Sequence, residues 1–205
     1  VDAQLTARLP QATGNSRRLL VELAGQRHVA AAIPELIKAA NDSDPAIRTA
    51  GIKALGETVG PANLGALTDL LAQAKSPDDV AAIQAALESA CARIPDKVAC
   101  ADKLLPRLAA GPVPAQCALL RVLGIVGTAN ALAAVESALA SPEPTVRDTA
   151  VRVLADWSDA AALARLFEVV RTTTDESHRF LALRGCVRLL ELSSQPLPEK
   201  VKAYA

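Results

Sequence analysis

Apolar residues recur with helical spacing along almost the whole chain. Leu67 and Leu71 stand three and seven positions after Leu64, so the three side chains share one face of a helix. Prolines and capping residues separate such stretches, as at 76–77 and 141–142, and proline costs little in the first turn of a helix. The pattern predicts pairs of helices, in which helix A, a tight turn and helix B follow one another. Further A-type stretches cover 32–40, 98–109, 129–140 and 160–170.

Two of the predicted B helices carry the same motif. Residues 44–56 (DPAIRTAGIKALG) and 143–155 (EPTVRDTAVRVLA) share the order acid, proline, any residue, aliphatic, arginine, two variable residues and a small residue. They lie three units apart, where one unit is about 33 residues. Weaker copies occur at 19–24, 119–124 and 186–190. A helix pair that recurs at this interval is typical of stacked repeat proteins, in which each unit packs only on its neighbours.

The repeat predicts an all-α solenoid of about six antiparallel helix pairs in a single domain, 1–205. Residues 196–205 are expected to begin a further helix that the end of the sequence cuts short. The sequence starts at Val1, contains no methionine and shows no obvious polar cap at either end, so we expect an excised part of a longer protein. The predicted repeats are 1–28, 29–59, 60–95, 96–127, 128–157 and 158–195.

The shared motif resembles the HEAT repeat, and it is most similar to the bacterial HEAT-like type that also occurs in phycobilin lyases. The resemblance covers nearly the whole chain. It implies a superhelix of paired helices whose inner, concave B-helix surface binds partners, but no single activity. The segments 146–157 and 178–190 are also similar to HEAT segments of large exported bacterial multidomain proteins. That similarity implies an exported or periplasmic location, with the cytoplasm as the next alternative.

Composition supports the helical interpretation and disfavours several functions. Hydrophobic residues make up 51% of the chain but aromatic residues only 2%, and small aliphatic side chains suit close packing of helices. The 22 basic and 22 acidic residues cancel, which makes nucleic acid an unlikely partner because phosphate binding relies on an excess of basic charge. No apolar run approaches the length of about 18 residues that a membrane span requires.

Acid–arginine pairs open three predicted B helices. Their spacing of four residues places both charges on one helix face, with the acid nearer the positive N-terminus. The family resemblance implies a structural ladder of acids and arginines that ties neighbouring repeats together. An anion-binding stripe on the concave surface is the alternative. The pairs are Asp44 with Arg48, Glu143 with Arg147, and Asp175 with Arg179.

A second set of residues is a candidate for binding a protein partner. It combines the basic residues of the later B helices with the single tryptophan, a residue favoured at the centre of interfaces. Nearby acids offset the basic charge, so a solvated face of mixed charge is the alternative, and core packing is the alternative for the tryptophan. The set is Arg121, Arg147, Arg152, Trp157, Arg179, Arg184 and Arg188.

Cysteine and histidine spacing predicts neither a metal site nor a cofactor. No CxxC pair occurs, and no histidine stands at ligand spacing from a cysteine. Cys91 and Cys100 flank a turn, where a disulfide could tie two helix ends, while two small buried side chains are the alternative. His28 and His178 have no nucleophile at catalytic spacing, and no phosphate-binding loop is present.

The sequence therefore predicts a non-catalytic scaffold that binds protein partners on its concave B-helix surface. The identity of the partner and the oligomeric state stay open. One alternative is a HEAT-like enzyme, of the bilin-lyase type or a DNA glycosylase of HEAT fold, and a passive spacer is another. The low aromatic content and the zero net charge disfavour both enzymes, because base extrusion calls for aromatic side chains in a basic groove.

Overall fold

The computed structural model of the 205-residue chain describes residues 1–192, and within this range it is all-α, without a strand. Twelve α-helices are joined by short turns, and 3₁₀ segments follow α1 and precede three of the A helices. The predicted further helix at 196–205 lies outside the described residues. The helices are α1 (Asp2–Arg8), α2 (Gly14–Gln26), α3 (Ile33–Ala40), α4 (Pro45–Thr58), α5 (Leu64–Gln73), α6 (Pro77–Arg93), α7 (Lys97–Ala110), α8 (Val113–Val126), α9 (Ala129–Ala138), α10 (Pro144–Ala155), α11 (Leu163–Thr172) and α12 (Glu176–Leu192).

The helices alternate as predicted between A helices, with odd numbers, and B helices, with even numbers. Each of α3, α5, α9 and α11 packs on the B helix that follows it. Successive B helices also pack on one another, as α2 does on α4, α4 on α6, and α10 on α12. This arrangement confirms the all-α solenoid of stacked helix pairs, in which an apolar stripe is buried against neighbours rather than in one central core.

The chain divides into two compact units, residues 1–122 and 123–205, and the division falls within α8. The first unit contains α1 to α7, and the second contains α9 to α12. The prediction of a single domain over 1–205, with six repeats at the boundaries given above, stays a prediction. Each unit is described below by itself.

Local chemistry explains where the B helices begin. Pro45, Pro77 and Pro144 occupy the first turns of α4, α6 and α10, where the N–H donor that proline lacks would have no intrahelical acceptor. The Asp44 carboxylate accepts a hydrogen bond from the Ala46 amide at 2.8 Å and caps α4. These starts match the breakers seen in the sequence.

Small residues bring successive B helices together. A Cβ atom added to any of three glycines would lie 2.7 Å from the Cα atom of an alanine on the neighbouring B helix, closer than real Cβ atoms approach. The backbones therefore touch, which larger side chains would prevent. This geometry accounts for the alanine-rich, aromatic-poor composition. The contacts are Gly25 with Ala54, Gly56 with Ala86, and Gly185 with Ala155.

Candidate functional site

Three arginines near the starts of B helices bind the turn that precedes them. The Arg48 Nη1 atom donates to the carbonyl oxygen of Asp42 at 3.0 Å, and Arg147 Nη1 donates to that of Ser141 at 2.7 Å. Arg179 Nη2 makes the same bond, at 2.8 Å, to the carbonyl oxygen six residues before it. Each guanidinium thus satisfies carbonyls that the end of helix A leaves without a partner. The shared role of these arginines is to hold the turn between helices A and B.

Two of the acids predicted to pair with these arginines cap the starts of B helices instead. The Asp44 carboxylate caps α4, and the Asp175 carboxylate accepts from the amides of Ser177 and His178 at 2.8 and 3.0 Å. The bond from the His178 amide is the main cause of a lowered pKa at Asp175. Glu143 stands at the cap position of α10 without a side-chain cap hydrogen bond. Within residues 1–192 no ion pair joins any of the three acids to the arginine four residues on, so the predicted pairing is wrong. For Asp44 and Asp175 the reason is that unpaired amides of the first helical turn bind the carboxylates.

In the first unit, arginines do link neighbouring repeats, but through different acids. Arg48 Nε lies 3.0 Å from the Asp79 Oδ1 atom on α6, and Arg17 Nη1 lies 3.5 Å from the Asp42 Oδ2 atom in the next turn. The hydrogen bond from Arg48 is the main reason that the pKa of Asp79 falls below its ordinary value. Both links join one helix pair to the next, as the predicted ladder would.

Two of the candidate partner-binding arginines of the second unit, Arg152 and Arg184, are already paired with aspartates. Arg152 Nε lies 2.8 Å from Asp148 Oδ2, and this hydrogen bond is the main cause of the lowered pKa of Asp148. Arg184 Nη2 lies 3.0 Å from Asp156 Oδ1. The exposed face of α10 and α12 therefore carries charges of both signs rather than a basic stripe, in line with the alternative kept for these residues.

Trp157 is wrong as a candidate for partner binding, because it is only 1% exposed. Its ring lies in the core beneath the link that follows α10, where burial of a large aromatic surface stabilises the fold. Arg188 also has a structural partner: it donates to the carbonyl oxygen of Trp157 and, at 2.9 Å from Nη2, to that of Ala155. The cation thus binds the C-terminal carbonyls of the preceding B helix, where the helix dipole favours positive charge.

Arg93, which the sequence patterns did not single out, plays the same part in the first unit. Its Nη2 atom donates to the carbonyl oxygens of Gly56 and Val59, at 2.7 and 3.0 Å, at the end of α4. The sequence signal for this role was the position of Arg93 in the last turn of a B helix. Arg121 differs from these residues, since it is exposed and makes a hydrogen bond of 3.3 Å to the Gln84 side chain.

The cysteines are buried, free thiols. Cys91 and Cys100 are neighbours, as their positions beside one turn predicted, but no disulfide joins them. Burial raises the pKa of Cys91 to about 12 and that of Cys186 to about 11. Because the thiolate is the reactive form, these groups are poor nucleophiles.

Neither histidine sits in a catalytic arrangement. His28 Nδ1 lies 2.5 Å from the carbonyl oxygen of Glu57, and His178 Nε2 lies 3.4 Å from Asp148 Oδ1. Across residues 1–192, no cluster of three or more histidine, cysteine, aspartate or glutamate side chains could hold a metal ion. In the same range, no helix combines the length and apolarity needed to cross a membrane.

A groove of about 710 Å³ runs between α2 and α4 on the B-helix side of the first unit. Small residues line part of it, and Thr49 lies exposed among them. Arg18 and Glu22 form an ion pair of 2.5 Å on one side, whereas Lys53, on the other, has no ion pair in the described part of the chain. The lining residues are Arg18, Glu22, Gln26, Pro45, Ala46, Thr49, Ala50, Lys53, Ala54 and Glu57.

The sequence analysis placed the candidate surface mainly on the later B helices and missed this groove. The signal that could have found it is the series Ala46, Thr49, Ala50 and Lys53 on one face of α4, in which small residues surround the exposed Thr49. Small side chains on an exposed face leave room between two helices, and charged residues at its edges can then bind polar groups of a partner.

The protein-family model described as HEAT repeats matches residues 3–88 and 101–185 of the chain. No curated protein matches the chain by sequence.

Among solved structures, the archaeal HEAT-like repeats protein from Thermococcus onnurineus NA1 is 14% identical, with a TM-score of 0.53. That alignment covers 100% of this chain and 86% of the archaeal one. The complex of CpcE and CpcF of phycocyanin lyase from Nostoc sp. PCC7120 is 20% identical over 99% of this chain and 79% of that one, with a TM-score of 0.42. Human deoxyhypusine hydroxylase is 19% identical over 94% and 85%, with a TM-score of 0.43. The archaeal protein supports the fold alone.

Proposed function

Because the chain belongs to the HEAT-repeat family, we propose that it is a non-catalytic scaffold that binds a protein partner along the groove between α2 and α4. Stacked helix pairs expose extended surfaces that suit protein binding. The observation that carries the proposal is the groove itself, which offers about 710 Å³ beside charges of both signs.

The chemistry of the groove favours a polypeptide segment that carries both charges. Glu22 and Glu57 can accept hydrogen bonds from basic groups, and Lys53 can donate to acidic groups or to backbone carbonyls. Small side chains such as Ala46 and Ala50 let the backbone of a partner come close to the helices. A passive spacer would have no need of an open, charged groove with an unpaired lysine.

The absence of catalysis is part of the same proposal. The cysteine thiols with raised pKa values are buried, and one ring nitrogen each of His28 and His178 contacts a backbone carbonyl or a carboxylate. These contacts support structural rather than catalytic roles for the cysteines and histidines. Export from the cell stays a prediction.

Photo-crosslinking of the 205-residue chain tests the proposal. A photoreactive benzoylphenylalanine replaces Thr49 in the groove and, in a second sample, Lys103 on α7, and each is irradiated in an extract of the source cells. Lys103 is also exposed but lies on an A helix of the same unit. We expect one defined protein adduct from position 49 and none of that mass from position 103.

Charge reversal then measures the contribution of the groove. Lys53→Glu should weaken the affinity for the captured partner by about tenfold, which corresponds to about 1.4 kcal/mol. Lys103→Glu makes the same change in net charge and should leave the affinity as it was. Equal weakening by both variants, or identical adducts from both positions, would sink the proposal and favour the passive spacer.

A further inference from the structure

Corresponding places in the two units hold two pockets of different charge. The first-unit pocket, of about 440 Å³, lies between the turns before α4 and α6, and the ion pair of Arg48 with Asp79 lines it. The second-unit pocket, of about 280 Å³, is lined by residues of the turns before α10 and α12. There Arg147 takes the place of Arg48, and His178 follows it at the interval at which Asp79 follows Arg48. The second pocket therefore has a histidine at the position where the first has the carboxylate of Asp79.

Two arginines line the second pocket. Arg147 uses Nη1 for the turn carbonyls of Ser141 and Pro142, at 2.7 and 2.9 Å, and forms no ion pair in the described residues. Arg165 pairs through Nη1 with Glu168, but its Nε atom is buried without a hydrogen-bond partner. Two guanidinium groups thus line one pocket, and that of Arg147 has no carboxylate partner in residues 1–192, so the pocket is suited to an acceptor from outside.

We propose that this pocket, lined by Arg147, Arg165 and His178, binds the carboxylate of an acidic side chain on a partner protein. The guanidinium forks match the two oxygens of a carboxylate. Apolar wall residues, Val151 and Val169 among them, can contact the methylene groups that carry it. That the carboxylate comes from a partner protein rests on the proposed scaffold function, whereas the ability of the pocket to bind a carboxylate does not.

The charge balance favours a carboxylate over a phosphate group. Glu168 lines the pocket beside Arg165, and Asp148, which pairs with Arg152, lies 3.4 Å from His178, so two carboxylates stand close to any bound anion. A group with a single negative charge meets less repulsion from them than a phosphate with two. In the first unit, a carboxylate does bind the corresponding arginine, since Asp79 forms an ion pair with Arg48.

The first unit also provides the design of the decisive variant. Thr49 directly follows Arg48, as Asp148 directly follows Arg147. The double substitution Asp148→Thr with His178→Asp therefore transplants the first-unit arrangement, and the introduced carboxylate should occupy the pocket from within. Asp148→Thr alone is the matched control, since it removes the acid beside His178 but leaves the pocket open.

The experiment follows the arginine Nε–Hε signals of the ¹⁵N-labelled 205-residue chain by NMR. The probes are N-acetylglutamate amide, N-acetylglutamine amide and inorganic phosphate. We expect saturable shifts of Arg147 and Arg165 with the glutamate probe only. The double variant should bind it about tenfold more weakly or not at all, while Asp148→Thr should bind it at least as well as the original chain. An unchanged or higher melting temperature would show that the double variant is folded.

Three results would overturn the inference. They are the lack of a saturable shift with the glutamate probe, equal binding by the double variant, and tighter binding of phosphate. If the probe binds but the double variant retains full affinity for the partner found by crosslinking, the assignment to a partner side chain fails. If no partner is found at the groove while the probe still binds, the scaffold proposal fails and the carboxylate pocket stands.

Discussion

The Arg48 guanidinium bonds the Asp79 carboxylate of the next helix pair, with 3.0 Å between Nε and Oδ1, while its Nη1 atom bonds the carbonyl oxygen of Asp42 in the preceding turn. One side chain thus closes a turn and joins two repeats. Arg147 closes its own turn in the same way but has no ion pair in the described residues. Stability should therefore depend more on Arg48 than on Arg147.

Replacing each arginine by alanine tests this difference. Arg147→Ala should lower the free energy of unfolding by about 1 kcal/mol, and Arg48→Ala by about 2 kcal/mol, because the second change also leaves Asp79 without its cation. Urea denaturation followed by circular dichroism measures both. Equal losses would show that the link to Asp79 contributes nothing.

The contribution of the Arg48 link should depend on pH. The pKa of Asp79 is lowered in the folded chain, below its ordinary value of 3.8. A lowered pKa means that the stabilisation is fully present above the unfolded-state value and is lost as the pH falls through the folded-state value. The difference in unfolding free energy between the original chain and Arg48→Ala should thus be constant from about pH 5 to 7 and shrink below about pH 4. Asp79→Asn should remove this dependence.

Replacing His28 by glycine should leave the chain more stable than replacing it by alanine. Its φ angle is 53°, a left-handed conformation at the end of α2 that costs an L-residue roughly 1 kcal/mol. His28→Gly and His28→Ala both remove the contact with the carbonyl oxygen of Glu57, but only glycine also removes the backbone strain. The alanine variant should be about 1 kcal/mol less stable than the glycine variant in thermal or urea unfolding. The reverse order would contradict the strained conformation.

Adding a methyl group to a glycine should have opposite effects at two positions. Gly56→Ala would place Cβ 2.7 Å from the Cα atom of Ala86 and should destabilise the chain by about 1–3 kcal/mol. Gly65→Ala, on α5, meets nothing within 4 Å and should stabilise it by about 0.5–1 kcal/mol, since alanine favours the helix. Calorimetry of the two variants measures both changes. Destabilisation at position 65 would indicate that general helix effects, and not the contact between helices, decide the outcome.

Thiol labelling should separate the folded from the unfolded chain. Cys91 is buried and its pKa is raised to about 12, and the other three thiols are buried too. At pH 8 a maleimide should therefore modify the native chain slowly and all four cysteines rapidly after denaturation. Mass spectrometry counts the adducts. Rapid labelling of the native chain would contradict the burial.

Much of the local structure could be predicted from single stretches of sequence. Pro45 and Pro77 begin B helices where the breakers indicated, and leucine spacing such as that of Leu64 and Leu67 marked a buried face. These signals are local, because helix periodicity and capping depend on residues within a few positions. For Trp157, at the end of a helix, core packing was the alternative kept beside partner binding, and its burial depends on packing that no local pattern contains.

The sequence by itself determined that this protein is a series of helix pairs, because its apolar period, its prolines and its recurring arginine motif act over short distances. Only the tertiary structure decided that Asp79 rather than Asp44 meets Arg48, and that Arg147 shares its pocket with His178 in the place of such an acid. The physical reason is that these partners belong to different repeats. Their meeting depends on how closely the B helices cross at Gly56 and Ala86 or at Ala155 and Gly185, a distance set by packing between repeats.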